Sequence, residues 1–198
     1  MKEGAIVSIL VLGLGNILLS DEGVGVRIVE ALDASHDLPD GVELLDGGTS
    51  GMDLLDMVAD RDCLIVADAV NADGPAGRLI RLENENIRML FETRFSPHQL
   101  GLSDMLAALC LIDKAPRRVV IIGVVPQNLS LGLELSPAAA DGRDAAVTMI
   151  VDELTRLGAA PTLPAIGHRK NVHRRSSRGD FNRWADGGRR CLWRALHR

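Results

Sequence analysis

Three short runs constrain the fold more than any other feature of the chain: SILVLGLG at 8–15, CLIVADAV at 63–70 and RRVVIIGVV at 117–125. Each is apolar on both alternating faces and rich in β-branched residues, so neither face of such a strand can be left in water. Runs of this kind belong in the middle of a parallel sheet that helices cover on both sides. Helical spacing fills the intervals, over Glu22 to Ser35, Ser50 to Ala59, Gly101 to Ile112 and Ser136 to Leu157. The repeated β-α order predicts a three-layer α/β/α sandwich around a mostly parallel, twisted sheet of about five strands.

The weaker segments complete that sheet. VELLDGG at 42–48 reads as a flanking strand. GRLIRLEN at 77–84 follows the second strong run after only a short Gly-Pro-Ala-Gly loop, too short for a helical crossover, which predicts an antiparallel strand at an edge. The last helix should open at Ser136 as N-cap with Pro137 in its first turn, and stop at Leu157 before Gly158. Aromatic residues make up only 3% of the chain, with no Tyr, so Leu, Ile, Val and Ala must fill the core.

Charge divides the chain at Gly158. Residues 159–198 hold ten Arg or Lys against Asp180 and Asp186, which leaves residues 1–158 at a net −13 within a chain of −5. The first part has the apolar content of one domain, whereas the second has too little to bury a core and reads as a basic, flexible tail. Trp184, Leu192, Trp193 and Leu196 form an apolar strip among its arginines.

Cys63, Cys110 and Cys191 are odd in number, widely spaced and without a C-x-x-C pair, which supports neither a disulfide framework nor a Cys-rich zinc site. The apolar stretch from Ala5 is broken by Gly13, Gly15 and Asn16 and runs into an acidic turn, unlike a signal peptide, and no other segment is long enough to span a bilayer. A reducing cytoplasm is the expected compartment.

The chemistry-bearing residues gather at strand ends. Asp21 and Glu22 follow the first strand, Asp46 the flanking one, and Asp68 closes the run Leu64, Ile65, Val66, Ala67. In an open α/β sheet, ligands bind in the crevice beyond the carboxyl ends of the strands. Each residue has a plain structural use. Asp68 can tie down loop amides, Glu22 can favour a helix N-terminus that Ser20 caps, and His98, in the loop-like SPHQLGL, can be an ordinary surface histidine. Together, however, two carboxylates and an imidazole at one crevice make a three-ligand set with open positions, suited to zinc, nickel, iron or manganese. Cys63 and Cys110 read as core thiols and no G-x-S-x-G elbow is present, which disfavours a Cys or Ser nucleophile.

The sequence resembles the nickel-iron hydrogenase maturation proteases, which remove a C-terminal peptide from the hydrogenase large-subunit precursor. The resemblance runs in order through GLGNILLSDEGVGVRIVEAL (13–32), VELLDGGTSGMDLL (42–55), IVADAV (65–70), SPHQLGLSDMLAAL (96–109) and VVIIGVVPQ (119–127). It covers essentially all of residues 6–157 and none of the tail. It implies a metal-contacting, catalytic set of Glu22, Asp68 and His98, and a D-G-G-T substrate-recognition turn at Asp46, Gly47, Gly48 and Thr49. It further implies that nickel arrives in the precursor's active centre, other divalent metals substituting in the isolated protein, so that cleavage follows correct metal insertion. For the hydrolytic step two routes stay open: the metal polarises the carbonyl or acidifies a water, or Asp68 or Glu22 acts as general base.

Rival readings are weaker. A dinucleotide site would need a third glycine where Leu18 stands, and Asp21 and Glu22 would repel a pyrophosphate. Peptidyl-tRNA hydrolases share the GLGN turn, but no His follows closely and the acidic body offers no basic face for RNA. A chaperone that binds the precursor without cutting it would have no need of the three-ligand set.

Overall fold

The computed structural model describes residues 8–83 and 97–164, of which 97–100 by backbone alone. Five strands form one sheet: β1 (Ile9–Leu14), β2 (Val42–Gly48), β3 (Cys63–Ala69), β4 (Leu79–Glu83) and β5 (Arg118–Val124). Their order is β2-β1-β3-β5-β4, parallel except for β4, which runs antiparallel to β5 at the edge. The helices are α1 (Val24–Ser35), α2 (Leu55–Val58), α3 (Pro97–Leu111) and α4 (Pro137–Arg156), with 3-10 turns at Ser20–Gly23 and Met52–Leu54.

The strands' period of two sorts the apolar residues into two cores. Ile9 and Val11 of β1, Ile65 and Ala67 of β3, and Val120 and Ile122 of β5 pack under α1 and α4, against Ile28, Leu32, Ile150 and Leu154. The alternate residues, Leu10, Leu12 and Leu14 of β1 with Leu64 and Val66 of β3, pack against Leu54, Val58, Leu102, Met105 and Leu109 from the α2 and α3 side. The three layers expected from the runs are therefore present, and Asp68 shares the parity of Leu64 and Val66.

The chain moves from β1 to β2 on one side, and from β3 towards β5 and β4 on the other. The carboxyl ends of β1 and β3 thus form the topological switch point, where the connecting loops part and leave a crevice. At the opposite, amino-terminal edge, an ion-pair ring closes the sheet. Glu153, fully buried, accepts from Arg81 (3.1 Å) and Arg118 (2.7 Å), and Glu83 accepts from the same two arginines.

Two boundaries differ from the sequence expectation. Helix α3 starts at Pro97, four residues earlier than its apolar spacing indicated, because Pro fits the first helical position and needs no N–H partner there. His98 therefore lies in the first turn of a helix and not in a loop. Beyond α4, Asp37 and Thr162 exchange both backbone hydrogen bonds (2.7 and 2.9 Å). The rest of the sequence-defined tail, 165–198, with its apolar strip, lies outside the described residues. Among the described residues, no helix is long and apolar enough to cross a membrane.

Candidate active site

The backbone of Glu22 is held at the end of β1 by a close approach that only glycine allows. Gly15, at φ +127°, leaves no space for a side chain: a Cβ there would strike the Glu22 carbonyl oxygen. Gly25, at the start of α1, lies against the carbonyls of Leu14 and Ala67, the residues that bring β1 and β3 to the switch point. Helix α1 is thereby seated on the carboxyl ends of both strands, with half-buried Glu22 on the turn just before it. Asp68 follows Ala67 directly. It is 2% exposed, and its Oδ1 accepts from the Ala69 N–H at 2.8 Å.

The recognition turn expected at 46–49 borders the same edge. The parallel pairing of β1 and β2 slips between Gly13 and Leu14, so Gly47 bulges inward where any side chain would meet Leu12, Leu14 and Leu54. Asp46 is exposed and its Oδ1 accepts from the Gly48 N–H at 3.0 Å; Thr49 is exposed, and the Gly15 N–H donates to the Gly48 carbonyl at 2.8 Å. Two residues on, Gly51 meets Gly101 of α3, where a Cβ on either would lie 3.1 Å from the other's Cα. The amino end of α3, which carries His98, is thus held at the carboxyl edge of the sheet, on the layer that Asp68 faces by parity. Among the described residues no three His, Cys, Asp or Glu side chains gather closely enough to hold a metal ion. The His98 side chain, the third donor of the expected set, lies outside them.

Asp21 corrects the expectation that both neighbouring carboxylates face the crevice. It is fully buried and turned away, into the loop between β5 and α4. Its Oδ2 accepts from the N–H groups of Gln127 (2.8 Å) and Asn128 (2.9 Å) and from the Ser136 hydroxyl (2.8 Å), and its Oδ1 from the Ser136 N–H (2.6 Å). Burial alone would raise the carboxyl's pKa, but the Ser136, Asn128 and Gln127 donors outweigh it and hold the group below the ordinary carboxylate range. The Ser136 hydroxyl also caps α4 by accepting from the Ala139 N–H at 3.2 Å. Ser136 was legible as a cap, but its bond to a residue 115 positions away was not.

Two smaller expectations also change. Ser20 caps no helix: its hydroxyl donates to the Ser130 carbonyl at 3.1 Å, and Gly23 is the N-cap of α1. Cys110 is exposed, because it falls on the outer side of α3, between the buried positions Met105 and Leu109 and the solvent-facing Leu111. Cys63 is buried as expected, and burial pushes its thiol up to about 11, an inert value for a nucleophile.

A family profile described as hydrogenase maturation protease matches residues 26–153. The chain belongs to the hydrogenase maturation protease family. The Hydrogenase 2 maturation protease of Escherichia coli K12 is 46% identical over 151 residues, 76% of this chain and 92% of that protein. The hydrogenase expression/formation protein HupD of Rhodobacter capsulatus is 39% identical over 156 residues, 78% of this chain and 74% of the relative. Among solved structures, the E. coli hydrogenase maturating endopeptidase HybD superposes with a TM-score of 0.75 at 44% identity, covering 78% of this chain and 96% of that one. The [NiFe] hydrogenase maturation protease HybD of Thermococcus kodakarensis gives 0.63 at 27% identity, over 74% and 97%. The family's α/β scaffold is the one described above, so the crevice at the β1–β3 switch point belongs to a maturation protease.

Proposed function

We propose that this protease removes the C-terminal extension of a nickel-iron hydrogenase large-subunit precursor, in the cytoplasm, after nickel has been inserted. One observation supports the reading: in a maturation-protease scaffold, the Glu22 backbone packs on Gly15 and the Ala67 carbonyl, one residue before Asp68, packs on Gly25, both at the carboxyl ends of β1 and β3. Helix α3 begins at that same edge with His98 in its first turn. The nickel is cargo of the precursor, already held there by the substrate's own ligands. Two carboxylates and an imidazole add oxygen and nitrogen donors of the kind a borderline divalent ion accepts. A precursor without metal would lack that attachment point, which makes recognition and quality control one event. Asp46, Gly47, Gly48 and Thr49 line the crevice beside β2 and contact the substrate chain.

In the hydrolytic step water adds to the scissile carbonyl, the C–N bond breaks and the leaving amine takes a proton. Either the substrate's metal polarises the carbonyl or acidifies the water, or Asp68 or Glu22 accepts the water's proton and passes it to the amine. Gel-shift assays of nickel-loaded and nickel-free precursor test the proposal. Wild-type protein should shorten only the loaded precursor, and Glu22→Gln, Asp68→Asn and His98→Ala should each abolish shortening while keeping the wild-type circular dichroism spectrum. Normal processing by all three variants would remove the site assignment, and cleavage of the nickel-free precursor would remove the metal checkpoint.

A further inference from the structure

Beside the crevice the protein displays four leucines to water. Leu18 is 55% exposed, Leu129 52%, Leu131 85% and Leu133 58%. They lie on two segments, the turn before Glu22 and the loop that follows β5, and these segments are fastened together. The Ser20 N–H donates to the Gly132 carbonyl (2.9 Å), the Gly132 N–H to the Leu18 carbonyl (3.0 Å) and the Asp21 N–H to the Asn128 carbonyl (3.1 Å). The Ser20 hydroxyl binds the Ser130 carbonyl, and the buried Asp21 carboxylate takes Gln127, Asn128 and Ser136. Asn128 in turn accepts from the N–H and hydroxyl of Ser130.

A loop free to relax would turn leucines inward, because apolar surface is driven out of water. This loop is pinned so that it cannot, by a carboxylate buried in the body of the protein. A rigid, exposed aliphatic ridge is the mark of an interaction surface. β1 and β5 flank β3 in the sheet, so the loops that meet here stand on either side of the strand that carries Asp68 at its penultimate position.

We infer that this ridge docks an aliphatic segment of the hydrogenase large-subunit precursor, one with Arg or Lys beside it; the inference rests on the function proposed above. Two features select that occupant. The ridge adjoins the proposed site, since Leu18 lies four residues before Glu22 on a segment bonded to Gly132, so a substrate seated at Glu22 passes beside it. Its charge also favours a basic neighbour: residues 126–133 carry none, Glu22 and Glu134 stand at its two ends in a body of net −13, and Arg27, whose guanidinium donates to the Leu133 carbonyl at 3.4 Å, is already paired with Glu30 at 2.9 Å. An acidic neighbour on the partner would be repelled and a basic one drawn in. Docking energy gained at the ridge, away from the reacting bond, is binding common to ground state and transition state, and it acts on KM and leaves kcat alone.

Leu129→Asp, Leu131→Asp and Leu133→Asp, with the uncharged Leu131→Ser, test this. Processing rates would be measured across a range of nickel-loaded precursor concentrations, with direct binding by biolayer interferometry and melting temperatures to verify folding. Each Asp variant should raise KM roughly tenfold with kcat held within about twofold, and weaken binding in parallel, as expected of an interface anchor. Leu131→Ser should show a smaller shift of the same kind, and Leu111→Asp, 87% exposed at the far end of α3, should match wild type. Unchanged KM and binding in all ridge variants would overturn the inference. So would a wild-type dimer, seen by light scattering, that the variants dissociate without a change in KM, since the ridge would then serve a second copy. If wild-type protein fails to cut loaded precursor, the proposed function falls but the ridge is still judged by binding: loss in the variants upholds it, and no loss, or no binding by wild type, overturns it.

Discussion

Asp21 and Glu22 are neighbours with opposite fates, and the turn that holds them explains why. In a 3-10 turn there are three residues per turn, so successive side chains point about 120° apart and two adjacent acids cannot face the same crevice. Glu22 is left half-buried, while Asp21 turns inward, where five atoms of a distant loop converge to satisfy it. Asparagine at position 21 keeps the shape but replaces one acceptor oxygen with a donor, leaving at least one buried N–H facing another. Asp21→Asn should therefore cost about 2 kcal/mol and lower Tm by about 4–8 °C. It should also depress processing even though the side chain does not reach the crevice. A variant with wild-type Tm and wild-type rate would show that the clamp is dispensable.

At the scale of elements, what places the site is how closely α1 approaches β1 and β3. Gly25 touches the carbonyls of Leu14 and Ala67, and a Cβ on Gly13 would lie 2.5 Å from the Gly25 carbonyl. These neighbours are backbone atoms at the core of the sheet and cannot yield as a flexible side chain would. Gly25→Ala should push the first turn of α1 outward, destabilise the fold by about 3 kcal/mol and carry Glu22 away from Asp68. Thermal unfolding read beside the processing assay measures both effects. Retained Tm and rate would show that this close approach does not hold the site. The pattern of glycines around the SDEG turn was legible in the sequence, but which carbonyl each one faces depends on strands that meet only in the folded sheet.

The whole molecule keeps its two charge systems apart, the proposed site at the carboxyl edge of the sheet and the Arg81–Arg118–Glu83–Glu153 ring at the amino edge. Several carboxylates are held below their ordinary range: Asp21 by its amide donors against the opposing effect of burial, Glu43 by Arg61, and Glu83 by Arg118 and Arg81. A group whose folded pKa is depressed contributes stability above its unfolded pKa and loses it as pH falls through the folded value. Glu43 and Glu83 are partly exposed and screened, so buried Asp21 should dominate. Tm is expected to hold between pH 7 and 5 and to fall steeply below about pH 4, with a shallower fall in Asp21→Asn. A Tm that rises or stays level as far as pH 3 would refute this.

Much of the protein is determined by local sequence alone. Apolar runs with a period of two and no polar face require a doubly covered sheet, so the five strands, the antiparallel β4 and the Ser136–Pro137 start of α4 follow from nearest-neighbour chemistry. The candidates Glu22, Asp68 and His98 were legible because they stand at strand ends or in the motifs of a known family. Only the tertiary structure decided that α3 begins early enough to take in His98, that Cys110 faces water, and that Asp21 clamps a loop more than a hundred residues away. These outcomes depend on contacts between segments remote in the chain. No local preference encodes where such segments meet, because the direction of a side chain and the partner of a buried carboxylate are settled by what the rest of the fold brings beside them.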